Sequence, residues 1–400
     1  MNKVLKIIFI TFLFCFLCIN SSCFAANNEE YIRVGLLQGQ TSVVISAEND
    51  FVIKDVDNNK NYKFSKANNV NIHQSERKVY IDKKGRETTT LIVAVKNNEP
   101  VTVNNKRYRG SLIIQPHKAG LTVINRVSLE DYLRGVVPKE MPTDWAKEAL
   151  KAQAVAARTF TLYNRADRKH TKEGFDVCAT TDCQVYSGIS VETTSSDNAI
   201  KATRGQILTY SNEPICSVFH AASGGFTENS EDVWKVTVPY LRAVDDSTEQ
   251  SPYAEWQTQI SIEDFSDTIA KQYKDIGTIK EIDVSNFPQG LKKNSKPKSI
   301  KFIGSDNKSV ELTATQIRSM LGLKSNNFSL ELIQDKKKIT NDKKLKITSP
   351  DKTILQINGK GLGHRLGMSQ WGAKALADKG QNYKQILQHY YTDVKLKTIY

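Results

Sequence analysis

From Trp145 to Arg165 the chain runs without a glycine or a proline, and alanine recurs at positions 146, 149, 152, 154, 156 and 157. No other stretch constrains the fold as strongly. Alanine carries the highest helix propensity, and the helix breakers are absent. Side chains this small let strands and other helices approach closely on every side. The segment therefore predicts a buried central helix, with the rest of the chain arranged around it. Pro142 restricts the residue before it and suits the start of a helix, so the helix should begin just beyond.

The surroundings read as strands. Between residues 30 and 127, short β-branched runs such as Tyr31–Leu37, Ser42–Ser46, Phe51–Val56, Thr90–Val95 and Ser111–Ile114 are separated by Asn, Asp, Lys and Gly clusters, the pattern of mostly antiparallel β structure with polar turns. Leu129–Arg134 reads as a helical turn and Val136–Val137 as a short extended piece. Residues 174–188 are loop-like, 194–204 form a short helix, and Gln206–Tyr210 and Ser217–His220 are strands. Residues 245–350 alternate strands with one or two short helices. A Gly-rich turn from Gly359 then opens a helix. The expected fold is α+β: a β-rich part over 30–127, a core with the central helix over 128–245, and inserted β/α segments over 246–400 that end in the Gly-rich motif. With 39% hydrophobic and 25% charged residues in 400, wholesale disorder is excluded. Coiled coil and collagen are excluded because no heptad register or Gly-X-Y repeat is present.

Residues 1–25 have the order of an export signal: Lys3 and Lys6, an uncharged and mostly apolar run from Ile7 to Ile19, then small and polar residues ending in Ala25-Ala26. Cleavage after Ala25 is expected. The alternative is an uncleaved anchor, although the run is short for a span, which needs roughly 20 apolar residues. A lipoprotein at Cys23 is disfavoured by Asn20. Export leaves Cys178, Cys183 and Cys216, an odd number and no disulfide framework. Removing the two signal lysines takes the net charge from +13 to +11. An exported basic chain favours wall polymers or anionic lipid as partners, and export argues against nucleic acid.

Four constellations could carry chemistry. The glycines from Gly359 to Gly372 lack the Gly-Lys-Ser/Thr ending of a phosphate loop and the βαβ setting of a dinucleotide fingerprint. They read as a tight turn, or as backbone brought close to a ligand or to another segment. His220 and Ser223 lack the Gly-x-Ser-x-Gly elbow of a serine hydrolase. His170, Cys178 and Cys183, with Asp182 beside the last, offer zinc chemistry without a complete ligand set. A Cys178–Cys183 disulfide and free thiols remain open. Glu140 is flanked by Pro138, Met141, Pro142 and Trp145. An apolar pocket would raise its pKa toward that of a general acid, whereas a place near a helix N-terminus would lower it.

The stretch from Val127 to Phe160, with Leu129-Glu-Asp-Tyr-Leu-Arg-Gly-Val-Val-Pro-Lys-Glu-Met-Pro at its centre, resembles the core signature of the SpoIID/LytB family, that of stage II sporulation protein D. Thr180-Thr-Asp-Cys-Gln-Val-Tyr, His220-Ala-Ala-Ser-Gly-Gly-Phe-Thr-Glu, Asp232-Val-Trp, Pro239-Tyr-Leu-Arg-Ala-Val, Leu321-Gly-Leu-Lys-Ser and Gly363-His-Arg-Leu-Gly-Met-Ser-Gln-Trp-Gly-Ala follow in order. The resemblance implies a lytic transglycosylase outside the cytoplasmic membrane. Such an enzyme cleaves peptidoglycan glycan strands, preferably stripped of stem peptides by an amidase partner, and leaves 1,6-anhydro ends. It places the catalytic acid at Glu140, and glycan contacts at Lys151, Arg158, Tyr240 and Arg242. Gln370 and Trp371 could bind and stack on sugar. Some relatives hold zinc where His170, Cys178 and Cys183 lie, as a structural metal with no step in catalysis. The other role in the family is a non-catalytic wall-binding module that enhances an amidase. Arg365 departs from the family, which more often has Gly there: either a positive φ is tolerated at a cost, or Arg365 meets an anionic substrate.

Overall fold

The strands between Tyr31 and Ser128 largely alternate inward and outward side chains, and this alternation builds two sheets around one core. The computed structural model describes residues 29–400 except 67, 77, 83–87, 97–98, 288–298 and 341–342. The expected export signal lies outside the described residues. One sheet has seven strands, in the order Val177–Cys178, Tyr31–Gln40, Gly120–Ser128, Ser111–His117, Leu91–Val95, Phe51–Asp55 and Lys60–Phe64. The other has five: Lys78–Ile81, Val70–Ser75, Ser42–Ala47, Val101–Val103 and Lys106–Tyr108. In Ser42–Ala47, Val43, Ile45 and Ala47 are buried while Ser42 and Val44 face out. Ile45, Ile72, Val93, Leu112 and Ile114 belong to one hydrophobic cluster fed by both sheets.

The central helix spans Lys147–Asp167 and stops at Arg168, which takes a left-handed conformation. Ala149, Ala152, Ala154, Ala156 and Ala157 are all fully buried. The helix serves as a wall shared by three apolar clusters. Ala154, Ala157 and Leu162 face the sandwich core. Ala152, Val155 and Ala156 pack with Leu208, Leu241, Met368 and the last two helices, Gln370–Asp378 and Tyr383–Tyr390. Ala149 and Leu150 meet Met141 and Trp145. A larger side chain at Ala154 or Ala156 would have to displace a neighbour, at a cost of about 1–3 kcal/mol.

Two local expectations are corrected. Val137 is not extended: Val137–Glu140 is a single helical turn with Pro138 in its first positions, and the Val136 carbonyl accepts from the Lys139 and Glu140 amides. Proline's fixed φ suits a first helical turn as well as it suits a strand end. The strand expected over Ser217–His220 shrinks to Phe219–His220, paired in parallel with Met368–Ser369.

Residues 256–359 bring their own core. Two four-stranded sheets, one centred on Thr353–Gly359 and Phe328–Gln334, the other on Ser299–Gly304 and Ile279–Asp283, enclose Phe265, Ile300, Phe302, Leu330 and Leu355 with the helices Ile262–Ala270 and Ala314–Leu321. Ser261 and Thr313 cap these helices through their hydroxyls. The whole of Tyr31–Ile399 is one compact unit. No helix among the described residues is long and apolar enough to cross a membrane.

Candidate active site

Glu140 ends the Val137–Glu140 turn, where the chain breaks into extended backbone at Met141. Its carboxyl lines a cavity of about 290 Å³ whose walls come from distant segments: Phe160 of the central helix, Thr181–Val185, Val218 and Phe219, and His364. Burial pushes the carboxyl above the usual glutamate range, against the Val185 N–H that donates to it and the Lys139 charge nearby. The raised direction is the one expected of an apolar pocket, but the apolar groups are different ones. Met141 turns into the cluster with Ala149 and Leu150, away from the cavity wall. Phe160, Val185 and Phe219 line the cavity beside it, and none of them is a sequence neighbour of Glu140. His364 has a fixed tautomer: its Nδ1 accepts from the Leu366 amide, and burial holds its pKa down to about 4.

The same loop carries a second group. His170, Cys178, Asp182 and Cys183 each offer one donor atom, and these four atoms all lie within 4.8 Å of one another. His170 Nε2 is 3.2 Å from Cys183 Sγ and 3.6 Å from Asp182 Oδ2, and Cys178 Sγ is 3.8 Å from Asp182 Oδ2. Bonds of about 2.0–2.3 Å to a tetrahedral zinc imply donor separations of about 3.3–3.8 Å, close to these three distances, so the four residues could hold such an ion, with Asp182, which also pairs with Lys169 at 2.7 Å, as a candidate fourth donor. Cys178, Cys183 and Cys216 are free thiols. A hydrogen bond from Cys183, helped by hydrogen bonds from Thr180, lowers the Cys178 thiol to about 5, while the same Cys183 bond raises Cys183. One sulfur of the pair is thus disposed to be a thiolate, the form that binds metal. The cluster is tied to the first strand: Val34 and Gly35 pair in parallel with Val177 and Cys178, and Arg33 forms an ion pair with Asp176 at 2.7 Å.

The other expected glycan contacts do not line the Glu140 cavity. Arg158 is fully buried and grips Glu130 through two hydrogen bonds of 2.8 and 2.7 Å, with a third to the Gln206 carbonyl. It ties the Leu129–Arg134 helix to the central helix and has no face toward a groove. Gln370 is buried and bonded to Gln153 at 3.3 Å, and the Trp371 ring packs on Trp145 with centroids 4.7 Å apart. Arg242 pairs with Glu231 at 2.6 Å and reaches Ser230 and the Val238 carbonyl. The Tyr240 hydroxyl accepts from the Cys216 amide. Lys151 is partly exposed, paired with Glu148 at 2.6 Å and set over the Tyr383 ring.

Arg365 resolves the alternative posed by its position. Its φ is 64°, so the backbone is left-handed, at a cost of about 1–2 kcal/mol for a residue with a Cβ. Its side chain meets no substrate: it is fully buried, bonded to Glu228 at 2.7 Å and to the Ser223 and Phe226 carbonyls. His220 and Ser223 form no dyad, since His220 Nδ1 donates to the Leu366 carbonyl and Ser223 Oγ to Glu249. The glycines bring two chain segments together. Gly224 and Gly361 both have positive φ, and a Cβ on either would lie within 2.9 Å of the opposing strand's backbone.

The family model described as SpoIID, stage II sporulation protein, matches residues 117–210. The stage II sporulation protein D of Bacillus amyloliquefaciens is 30% identical over 340 residues, which cover 81% of this chain and 88% of that one. The chain belongs to the stage II sporulation protein D family. An uncharacterised protein of Brachyspira hyodysenteriae is 33% identical over 307 residues, 76% of each chain. The amidase enhancer of Bacillus subtilis is 30% identical over 308 residues, 66% of this chain and 40% of the enhancer. Within this family frame the matched residues 117–210 hold Glu140, the central helix and all four donors of the His170 cluster, whereas Phe219 and His364 of the cavity wall lie beyond them.

Proposed function

We propose that this member of the stage II sporulation protein D family is an exported lytic transglycosylase, acting on peptidoglycan glycan strands during sporulation wall remodelling beside an amidase that strips stem peptides. The observation that carries the reading is the Glu140 carboxyl, held above its usual pKa in a cavity walled by Phe160, Val185 and Phe219. A hydrolase usually needs two carboxyls. Here one group suffices if the sugar's own C6 hydroxyl is the nucleophile. Protonated Glu140 donates its proton to the glycosidic oxygen as the C1–O bond breaks. The resulting carboxylate takes the proton of the C6 hydroxyl as O6 bonds to C1, which closes the 1,6-anhydro ring and returns Glu140 to its starting state. No water is consumed.

The partly exposed Lys151 and Trp371 are proposed to meet the glycan outside the cavity. Arg158, Arg242 and Gln370 are engaged within the protein and are assigned no glycan contact. A zinc ion at His170, Cys178, Asp182 and Cys183 would cross-link the loop that also supplies the Val185 N–H. No proton transfer in the proposed reaction involves it.

The relative named an amidase enhancer favours a second reading, a wall-binding module without its own chemistry. Digestion of stripped and unstripped glycan by the purified protein, with products resolved by mass, separates the two. Anhydro ends released by the wild type and lost in Glu140→Gln support the enzyme. A wild type that releases nothing, yet accelerates an added amidase, supports the module.

A further inference from the structure

A second cavity, of about 780 Å³, opens where the inserted sheets meet the glycine ribbon. Phe226, Trp256 and Phe328 form its apolar wall, and Gln257, Asn327 and Asn358 bring side-chain amides to it. Its size and mixed lining are those of a small-ligand site. The amides are preset. Gln257 Nε2 donates to Asn358 Oδ1 at 2.8 Å, and Asn358 Nδ2 is anchored on Glu331 at 2.9 Å. The Asn327 side-chain amide has no protein partner among the described residues. The two charged residues of the wall, Lys360 and Glu255, face each other at 3.5 Å, so the lining is electrically neutral.

The aromatic face is braced. The Arg365 guanidinium lies 4.6 Å from the Phe226 ring centroid and is itself sealed from solvent, which leaves the other face of the ring to the cavity. Trp256 is seated against bare backbone: a Cβ on Gly359 would come within 2.1 Å of its ring, and its Nε1 donates to the Gly361 carbonyl at 3.0 Å. This cavity and the Glu140 cavity are the two ends of one ribbon. The segment 218–226 runs from Val218 and Phe219 at the Glu140 cavity to Gly224 and Phe226 here, and 360–364 runs alongside it, joined through Ala222 and Leu362. Lys360 and His364 are four residues apart, at most about 14 Å, a distance a few linked sugar rings can span.

We infer that this cavity is a distal subsite for a neutral N-acetylated hexose of the same glycan strand, stacked on Phe226 and hydrogen-bonded by Asn327 and Gln257. Uncharged amides beside an aromatic face suit sugar hydroxyls and acetamido groups. A stem peptide, with its free carboxylates, would call for unpaired charge. The inference rests on the glycan reading of the Glu140 cavity, and its test is a binding measurement that needs no turnover.

The probe is the β-1,4-linked N-acetylglucosamine hexamer, titrated calorimetrically into the full chain carrying Glu140→Gln, alone and combined with Asn327→Ala or Phe226→Leu. Each second change should weaken binding about fivefold to tenfold, and the leucine preserves apolar volume where alanine would leave a gap. Equal affinities in all three proteins would overturn the subsite. Competition for the hexamer by a free stem peptide, relieved by Asn327→Ala, would overturn the ligand class. If the wild type releases no anhydro product while the two changes still weaken hexamer binding, the transglycosylase reading fails and the subsite stands.

Discussion

The core around the central helix and the module at 256–359 are stabilised by different means. The first buries charge. Arg158 with Glu130, and Arg365 with Glu228, are sealed pairs whose remaining donors meet backbone carbonyls. In the module no Asp, Glu, Lys or Arg is buried among the described residues, and its ion pairs, such as Lys338–Glu331 and Lys308–Asp275, involve exposed lysines. The module is held by shape and area, with Phe265 edge-on to Phe302 at 5.2 Å. A buried ion pair is weak evidence for stability but costly to break, because the surviving charge is left unpaired. In the core that rigidity falls on the elements that build the Glu140 cavity: Arg158 fixes the helix just before the Glu140 turn, and Arg365 fixes the ribbon next to His364.

Five measurements break or sharpen this contrast. The largest effect is expected at Glu140. Glu140→Gln should lower release of anhydro ends by about 10² to 10⁴ with the fold intact, and a variant that keeps more than about a tenth of the rate defeats the single-acid mechanism. Next, Glu130→Ala should cost about 3–5 kcal/mol in urea unfolding, whereas replacing the pair together, by Glu130→Leu with Arg158→Met, should come close to neutral. A small loss for Glu130→Ala alone would mean that charge is not what the core depends on. Third, Cys178→Ser should remove one zinc per chain by metal analysis and lower stability by about 2–4 kcal/mol when free zinc is well above its dissociation constant, with less effect on activity per folded molecule. Fourth, Phe302→Leu in the module should cost under about 1.5 kcal/mol, since a change of shape without charge is tolerated there.

The smallest effect is in pH dependence. Folding raises the Glu140 pKa, so the folded state holds this proton more tightly than the unfolded chain does. Activity that needs the acid form should be full below the raised pKa and fall as pH rises through it. The same shift penalises stability above the folded pKa and vanishes below the unfolded one. Glu140→Gln should therefore be slightly more stable than wild type at neutral pH and equal to it in acid. A wild type that is the more stable at neutral pH contradicts the desolvation argument.

The central helix was legible because propensity is local: six alanines and no breaker in a row define it without tertiary context. The strands of 30–127 were legible for the same reason. Val137 was misread because a two-residue window beside a proline fits a first helical turn and a strand end equally well. Glu140 stood out through its motif, but what tunes it did not, since Phe160, Val185, Phe219 and His364 are between 20 and 224 positions away in the chain. Arg158 illustrates the limit most plainly. The family resemblance implies a glycan contact at Arg158, and only the fold places Glu130 against it.

The first strand has a consequence for how the chain is made. Tyr31–Gln40 lies between Gly120–Ser128 and Val177–Cys178 in its sheet. At synthesis rates of about 5–20 residues per second, its first partner emerges roughly 5–20 s after it does, and the second later still. Until then Ile32 and Val34, fully buried in the finished protein, wait with both backbone edges unpaired, a template for wrong pairing. A fragment trimmed to the recognisable 117–210 stretch would keep that vacancy permanently, with Gly120–Ser128 and the cysteine loop facing each other across a missing strand.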